Sequence, residues 1–231
     1  MRFSEILDQE AAVRTVFGAV RAGRVPHAYL FEGPAGVGKR LAARALALAL
    51  NCAGEGEEAC GACESCRKIL GGIHPDVRWL GLPEGKRRIP IEAVREAERW
   101  LALGVHEGRA KVLGIDPAEQ MSEAAANALL KTLEEPRDGS FIVLVTSAAT
   151  ALLPTVRSRC QRVRFRPLRE ETVAALLERE GAAPEEAELL AALSSGSMEQ
   201  AEAAGGEDVE RRFADALALV ETELAPTPEA G

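Results

Sequence analysis

"HAYLFEGPAGVGKRLAARALALALNC", residues 27–52, decides how this chain is read. "HAYLFEG" (27–33) is a short apolar run ending in glycine, which suits a buried parallel strand. "GPAGVGKR" (33–40) places Gly33, Gly36, Gly38 and Lys39 in a tight loop. "GKRLAARALALALNC" (38–52) then reads as a helix. Strand, glycine loop and helix in that order is the setting of a phosphate-binding loop, whose pattern is G-x-x-x-x-G-K followed by Ser or Thr. Backbone N–H groups and a helix N-terminus bind anions there, and Lys39 adds a positive charge. The last letter departs from the pattern. Arg40 stands where a hydroxyl would hold magnesium.

The same alternation continues outward. "DVRWL" (76–80), "KVLGI" (111–115), "FIVLVTS" (141–147) and "QRVRF" (161–165) read as strands. Residues 4–22, 91–103 and 122–135 read as helices, the last with Ser122 as N-cap and Pro136 just past its end. Strands alternating with helices imply a parallel sheet covered on both faces. After Pro167 the strands stop, and short Ala- and Glu-rich helices run from 169 to about 204. Gly205-Gly206 interrupts them, and Val209, Phe213, Leu217, Val220 and Leu224 mark a last amphipathic helix. The expectation is an α/β P-loop domain with a five-stranded parallel sheet over 1–166. A small helical domain follows over 167–205, then a C-terminal helix and tail over 206–231.

Composition bounds the function. Hydrophobic residues are 47% of the 231 and aromatics 4%, so Leu, Val, Ile and Ala must fill the core. A formal net charge of -8 argues against a general nucleic-acid coat or a membrane-surface binder, which need basic surfaces. No apolar run approaches the roughly 20 residues of a membrane span, and no signal peptide is visible, so the chain reads as cytoplasmic.

Hydrolysis of a bound nucleotide needs magnesium, a carboxylate to hold it and a group to orient water. Asp116, ending an apolar strand, fits the carboxylate, or else caps the strand. The residue after it is Pro117, which can neither ionise nor donate, and Glu119 lies two residues further on. Thr146, after the fourth strand, is placed to touch phosphate or to cap that strand. With Arg40 in the hydroxyl position, two separate catalytic positions depart from a working site. The loop reads as a site that binds ATP weakly without hydrolysis, or as a tight turn that merely contains glycine and lysine.

Four of the five cysteines cluster in "NCAGEGEEACGACESC": Cys52, Cys60, Cys63 and Cys66. Four thiolates with tight turns at Gly54, Gly56 and Gly61 suit tetrahedral zinc, and an iron–sulfur cluster also uses such spacings. His74, in "HPD", reads as the start of a strand and not as a ligand.

"VPHAYLFEGPAGVGK" (25–39), "AEQMSEAAANALLKTLEEP" (118–136) and "TVRSRCQRVRF" (155–165) together resemble the bacterial clamp-loader ATPases of the AAA+ class, most of all their delta-prime branch. The resemblance covers about residues 1–200. It implies a five-stranded AAA+ domain followed by a three-helix lid, and a structural zinc on Cys52, Cys60, Cys63 and Cys66 in an insertion over about 51–72. It implies ATPase subunits and a delta-like subunit as partners, with the sliding clamp and primed DNA reached through the complex. It also implies that Arg159, in "SRC", is an arginine finger reaching a neighbour's ATP site, where a planar guanidinium stabilises charge on the transferring phosphate. The plainer reading of Arg159 is one of several arginines solvating the start of a strand. In the lid, "GSMEQA" (196–201) has Glu199 and Gln200 where the family offers a phosphate-sensing arginine. The chain ends about where a collar domain would begin. The leading reading is therefore a non-hydrolysing ring subunit that donates Arg159. A hydrolysing motor subunit and a zinc-bearing nucleic-acid adaptor are the alternatives.

Overall fold

A computed structural model describes residues 2–56 and 58–205. Its five strands are β1 (Ala28–Glu32), β2 (Val77–Leu80), β3 (Lys111–Ile115), β4 (Ser140–Thr146) and β5 (Gln161–Arg164). They form one sheet in the order β2-β3-β4-β1-β5, and every pairing is parallel. β1, β3 and most of β4 are buried along their length, as strands covered on both faces must be. β5 closes one edge and is buried only at Val163.

The helices of the first unit are α1 (Glu10–Arg21), α2 (Lys39–Asn51), α3 (Glu64–Leu70), α4 (Ile91–Ala102), α5 (Glu123–Glu134) and α6 (Pro154–Arg157). Alternate residues of a strand face opposite ways. Leu30, Leu113, Ile115, Ile142 and Leu144 accordingly share one core with Val94, Ala97 and Leu101 of α4 and with Ala125, Leu129 and Leu133 of α5. Each such leucine or isoleucine, fully buried, contributes about 1.5–3 kcal/mol. Tyr29 and Phe31 face the other way, where α2 packs on β1 and β4. Ser122 caps α5 by accepting from the Ala125 N–H at 3.1 Å.

The described residues fall into two compact units that divide between Leu168 and Arg169. The described part of the second consists of α7 (Glu170–Glu180), α8 (Pro184–Leu193) and α9 (Met198–Ala204). They meet through buried Val173, Leu177, Ala187, Leu190, Ala191 and Ala201. The helix expected from Val209 to Leu224 lies outside the described residues.

Three local features differ from the periodicity. The helix expected over 4–22 is broken: a 3₁₀ turn spans Phe3–Glu5, Asp8 has φ 58, and α1 starts at Glu10. Gln9, at the break, donates to the Arg166 carbonyl at 2.8 Å and accepts from its N–H at 2.9 Å. A tertiary contact there overrides the local pattern. The helices α3 and α6 were not expected, since each is too short to show a period.

Candidate functional site

The carboxyl ends of β1, β3 and β4 bring the predicted nucleotide-site residues together. Glu32 sits beside Thr146 in the sheet register, Ile115 sits beside Leu144, and Asp116 follows one residue on. Gly33 has φ 151, and a Cβ on it would lie 2.4 Å from the Phe165 carbonyl oxygen. This glycine is needed for β5 to pass, whether or not phosphate binds. Gly36 (φ 67) and Gly38 (φ 93) supply the left-handed turns that lead into α2. Lys39 is 6% exposed, and its Nζ donates back to the loop, to the Gly33 carbonyl at 2.7 Å and to that of Pro34.

Arg40 Nε lies 3.5 Å from Asp116 Oδ2. A guanidinium thus faces the Asp116 carboxylate, and Pro117 follows it. Glu119 does not stand free: its Oε1 accepts from the Ser147 N–H at 3.1 Å and from the Ser147 hydroxyl at 2.7 Å. Burial would raise its carboxyl, but these bonds outweigh burial and hold it below the usual range. Thr146 Oγ1 accepts from the Ala148 N–H at 3.0 Å, which caps the strand. Glu32, ending β1, accepts from Arg162 and Arg164 of β5 at 2.8–3.2 Å. Burial opposes its ionisation, yet the two arginines win and keep its carboxyl low. The edge strand is thereby clasped to the residue that precedes the loop.

Arg159 lies outside this cluster, in the turn between α6 and β5. Its Nη1 donates to the Thr155 carbonyl at 2.9 Å, and its Nη2 pairs with Glu134 at the end of α5. Val156 and Cys160 on either side are buried and fix the turn. In the second unit, Glu199 and Gln200 lie in the first turn of α9, which Ser197 caps through the Gln200 N–H at 3.2 Å.

The four clustered cysteines converge: the Sγ atoms of Cys52, Cys60, Cys63 and Cys66 all lie within 4.8 Å of one another. A tetrahedral zinc with 2.3 Å bonds needs S···S distances of about 3.8 Å, so the set fits with little adjustment. None of these cysteines is in a disulfide. Backbone N–H groups of Ala62 and Cys63 pull the Cys60 thiol down to about 6, and the Ala53 N–H draws Cys63 lower. Burial pushes Cys66 up. Four protein sulfurs leave no open position for catalysis.

A polar network that no motif announces lies beside this module. Asp76 is fully buried; its Oδ1 accepts from the His106 N–H and its Oδ2 from those of Glu107 and Gly108, each at 2.8 Å. Burial opposes its charge, but those donors and Lys111, 3.6 Å away, hold its carboxyl below the usual range. Asn51, at the end of α2, accepts from the Arg109 and Ala110 N–H groups at 2.9 and 3.0 Å. His74 is buried, and its Nδ1 accepts from the Asp76 N–H at 3.1 Å. It serves the start of β2. "HPD" and a lone asparagine were the visible signal, but their partners are backbone groups some 30 to 60 residues away, which no local pattern encodes.

The chain matches the family model described as DNA polymerase III, delta subunit, over residues 8–169. It is 34% identical over 215 residues to DNA polymerase III subunit delta' of Bacillus subtilis, covering 92% of this chain and 64% of that protein. It is 39% identical over 180 residues to the Escherichia coli subunit delta', covering 77% and 54%. DNA polymerase III subunit gamma/tau of Mycobacterium tuberculosis is 36% identical over 178 residues, covering 77% and 31%. The chain thus spans between about a third and two thirds of these relatives' lengths. Among solved structures, the Thermotoga maritima RuvB Holliday junction branch migration motor aligns with TM-score 0.55 at 18% identity, over 94% of this chain and 65% of that one. That likeness is one of fold, and the sheet with its helices is an α/β AAA+ fold.

Proposed function

Because this chain belongs to the DNA polymerase III delta-prime family, we propose that it is a clamp-loader subunit that hydrolyses no ATP itself and supplies Arg159 to the ATP site of a neighbouring subunit. The observation that carries this reading is the Arg40–Asp116 pair. A hydrolytic site needs a divalent cation between that carboxylate and the nucleotide. Here a side-chain cation faces the carboxylate, the neighbouring residue is Pro117, and Glu119 is spent on Ser147. The loop of Gly33, Gly36, Gly38 and Lys39 keeps a phosphate-binding shape, so weak nucleotide binding without turnover belongs to the same reading. Arg159 supports the second half. It sits at the sheet edge, away from the chain's own loop, with its side chain one-third exposed.

The four-cysteine module holds one structural zinc on this reading, closing the insertion against Asn51 and the end of α2. The relatives named delta' and gamma/tau point to partners of that kind, with the sliding clamp and primed DNA engaged through the assembled complex. A cytoplasmic location follows from such a role. Among the described residues no helix is long and apolar enough to cross a membrane.

The test is ATP turnover by the purified chain with magnesium. No hydrolysis above background is expected. Magnesium-dependent hydrolysis that disappears in Lys39→Ala would mean that the loop is a working site and that the hydrolysing-motor reading is correct.

A further inference from the structure

We propose that Glu134 is a positioning residue that presents the Arg159 guanidinium to a phosphate held by another protein. This rests on the reading that Arg159 acts in trans and assigns how the finger is aimed. Arg159 and Glu134 come from distant segments, the turn before β5 and the last residue of α5. Both ends are anchored. Leu129 and Leu133 bury α5 in the core, and Val156 and Cys160 bury the turn. The carboxyl end of a helix is the negative end of its dipole, which draws a cation to the same place.

The donors decide between presentation and sequestration. A guanidinium has five N–H groups in a fixed plane. Nη2 is ion-paired with Glu134 Oε1, and the Thr155 carbonyl takes one N–H from Nη1. No other partner for this side chain occurs among the described residues. The Nε–H and the second N–H of Nη1 therefore stay uncommitted among the described residues. A parked arginine would be buried and paired fork to fork with its carboxylate. This one is held at two points with the rest of its plane open. Arginine carries large rotamer freedom, so Glu134 and Thr155 remove freedom that would otherwise be lost when phosphate docks.

The experiment uses the complete protein assembled with its own partner ATPase subunits, of which only the neighbour facing Arg159 keeps its phosphate-loop lysine. Glu134→Ala should lower that neighbour's kcat by about 2- to 5-fold, the range expected for an exposed ion pair, with KM unchanged. Glu134→Asp should recover part of the loss. In an Arg159→Ala background, Glu134→Ala should change nothing further. An unchanged or raised kcat in Glu134→Ala, or a loss that persists without Arg159, overturns the proposal. A second measurement stands apart from turnover: the ¹⁵N–¹H signal of Arg159 Nε in the isolated protein, assigned with Arg159→Lys. Glu134→Ala should broaden and shift it towards that of a freely rotating arginine, and an unmoved signal overturns the positioning. If Arg159→Ala leaves turnover intact, the trans reading fails while this signal still decides whether Glu134 orders the side chain.

Discussion

Replacing Asp76 by Asn should destabilise the first unit by about 3–5 kcal/mol, the usual cost of breaking a buried ion pair by removing one partner. The structure supplies the reasons. Two carboxylate oxygens accept three backbone N–H groups at 2.8 Å each. An asparagine keeps one acceptor and turns an NH₂ toward donors it cannot satisfy. Lys111, whose side chain is 4% exposed, also loses the one carboxylate paired with it among the described residues, and the Trp100 ring stays 4.6 Å from its Nζ. Urea unfolding followed by tryptophan fluorescence is the assay, since both tryptophans, Trp79 and Trp100, lie in this unit. With a slope of about 2–3 kcal/mol/M, the midpoint should fall by about 1–2.5 M. A fall below about 0.5 M would show that the 105–110 loop does not depend on this carboxylate and would refute the reasoning.

Acid should weaken the same unit. Asp76 and Glu32 are held below the usual carboxylate range, so their contribution is complete above an unfolded value of about 4 and is lost as pH falls through their folded values. His74, kept uncharged by burial, acts in the same direction from about pH 6.5 downward. A stability profile from pH 7 to 3 should therefore fall in two stages, and Asp76→Asn should flatten the lower one; a flat wild-type profile would contradict this. Gly114→Ala should cost about 1–3 kcal/mol by overpacking, because its Cβ would meet the Trp79 ring at 2.0 and 2.1 Å; an unshifted melting temperature would count against that packing. Metal analysis of protein purified without added zinc should give about one zinc per chain, and Cys63→Ser should expose the insertion to protease while sparing the sheet. Iron with visible absorbance, or no metal at all, would overturn that assignment.

The fold was legible where the sequence encodes it locally. β3 matches "KVLGI" residue for residue, and β1 and β4 lie within one residue of their apolar runs, because buried parallel strands are unbroken hydrophobic stretches; the less buried β2 and β5 also fall within one residue of "DVRWL" and "QRVRF". The break before α1 was not legible, since it depends on Gln9 reaching Arg166, far away in sequence. Among the site residues, motif and spacing brought Gly33, Lys39, Asp116 and Thr146 to one end of the sheet, and the four cysteines to one cluster. What stayed hidden were the counter-charges. Nothing in "SRC" says that Arg159 rests on Glu134, and nothing in "FEG" says that Glu32 clasps two arginines of β5. Ion pairs between distant segments leave no period and no spacing to read.

On the proposed reading this chain contributes chemistry to a neighbour and none to itself. The most direct test is the ATPase rate of the assembled complex in which only the facing neighbour is competent, with wild-type protein and with Arg159→Ala side by side. An arginine finger is worth about 10³–10⁵ in rate, so Arg159→Ala should assemble normally and reduce hydrolysis at that site by a factor of that order. Arg159→Lys should restore little of it, because a point charge does not reproduce the planar fork. Equal rates for the wild-type and Arg159→Ala complexes, with assembly confirmed, would contradict the account and leave Arg159 as a surface charge.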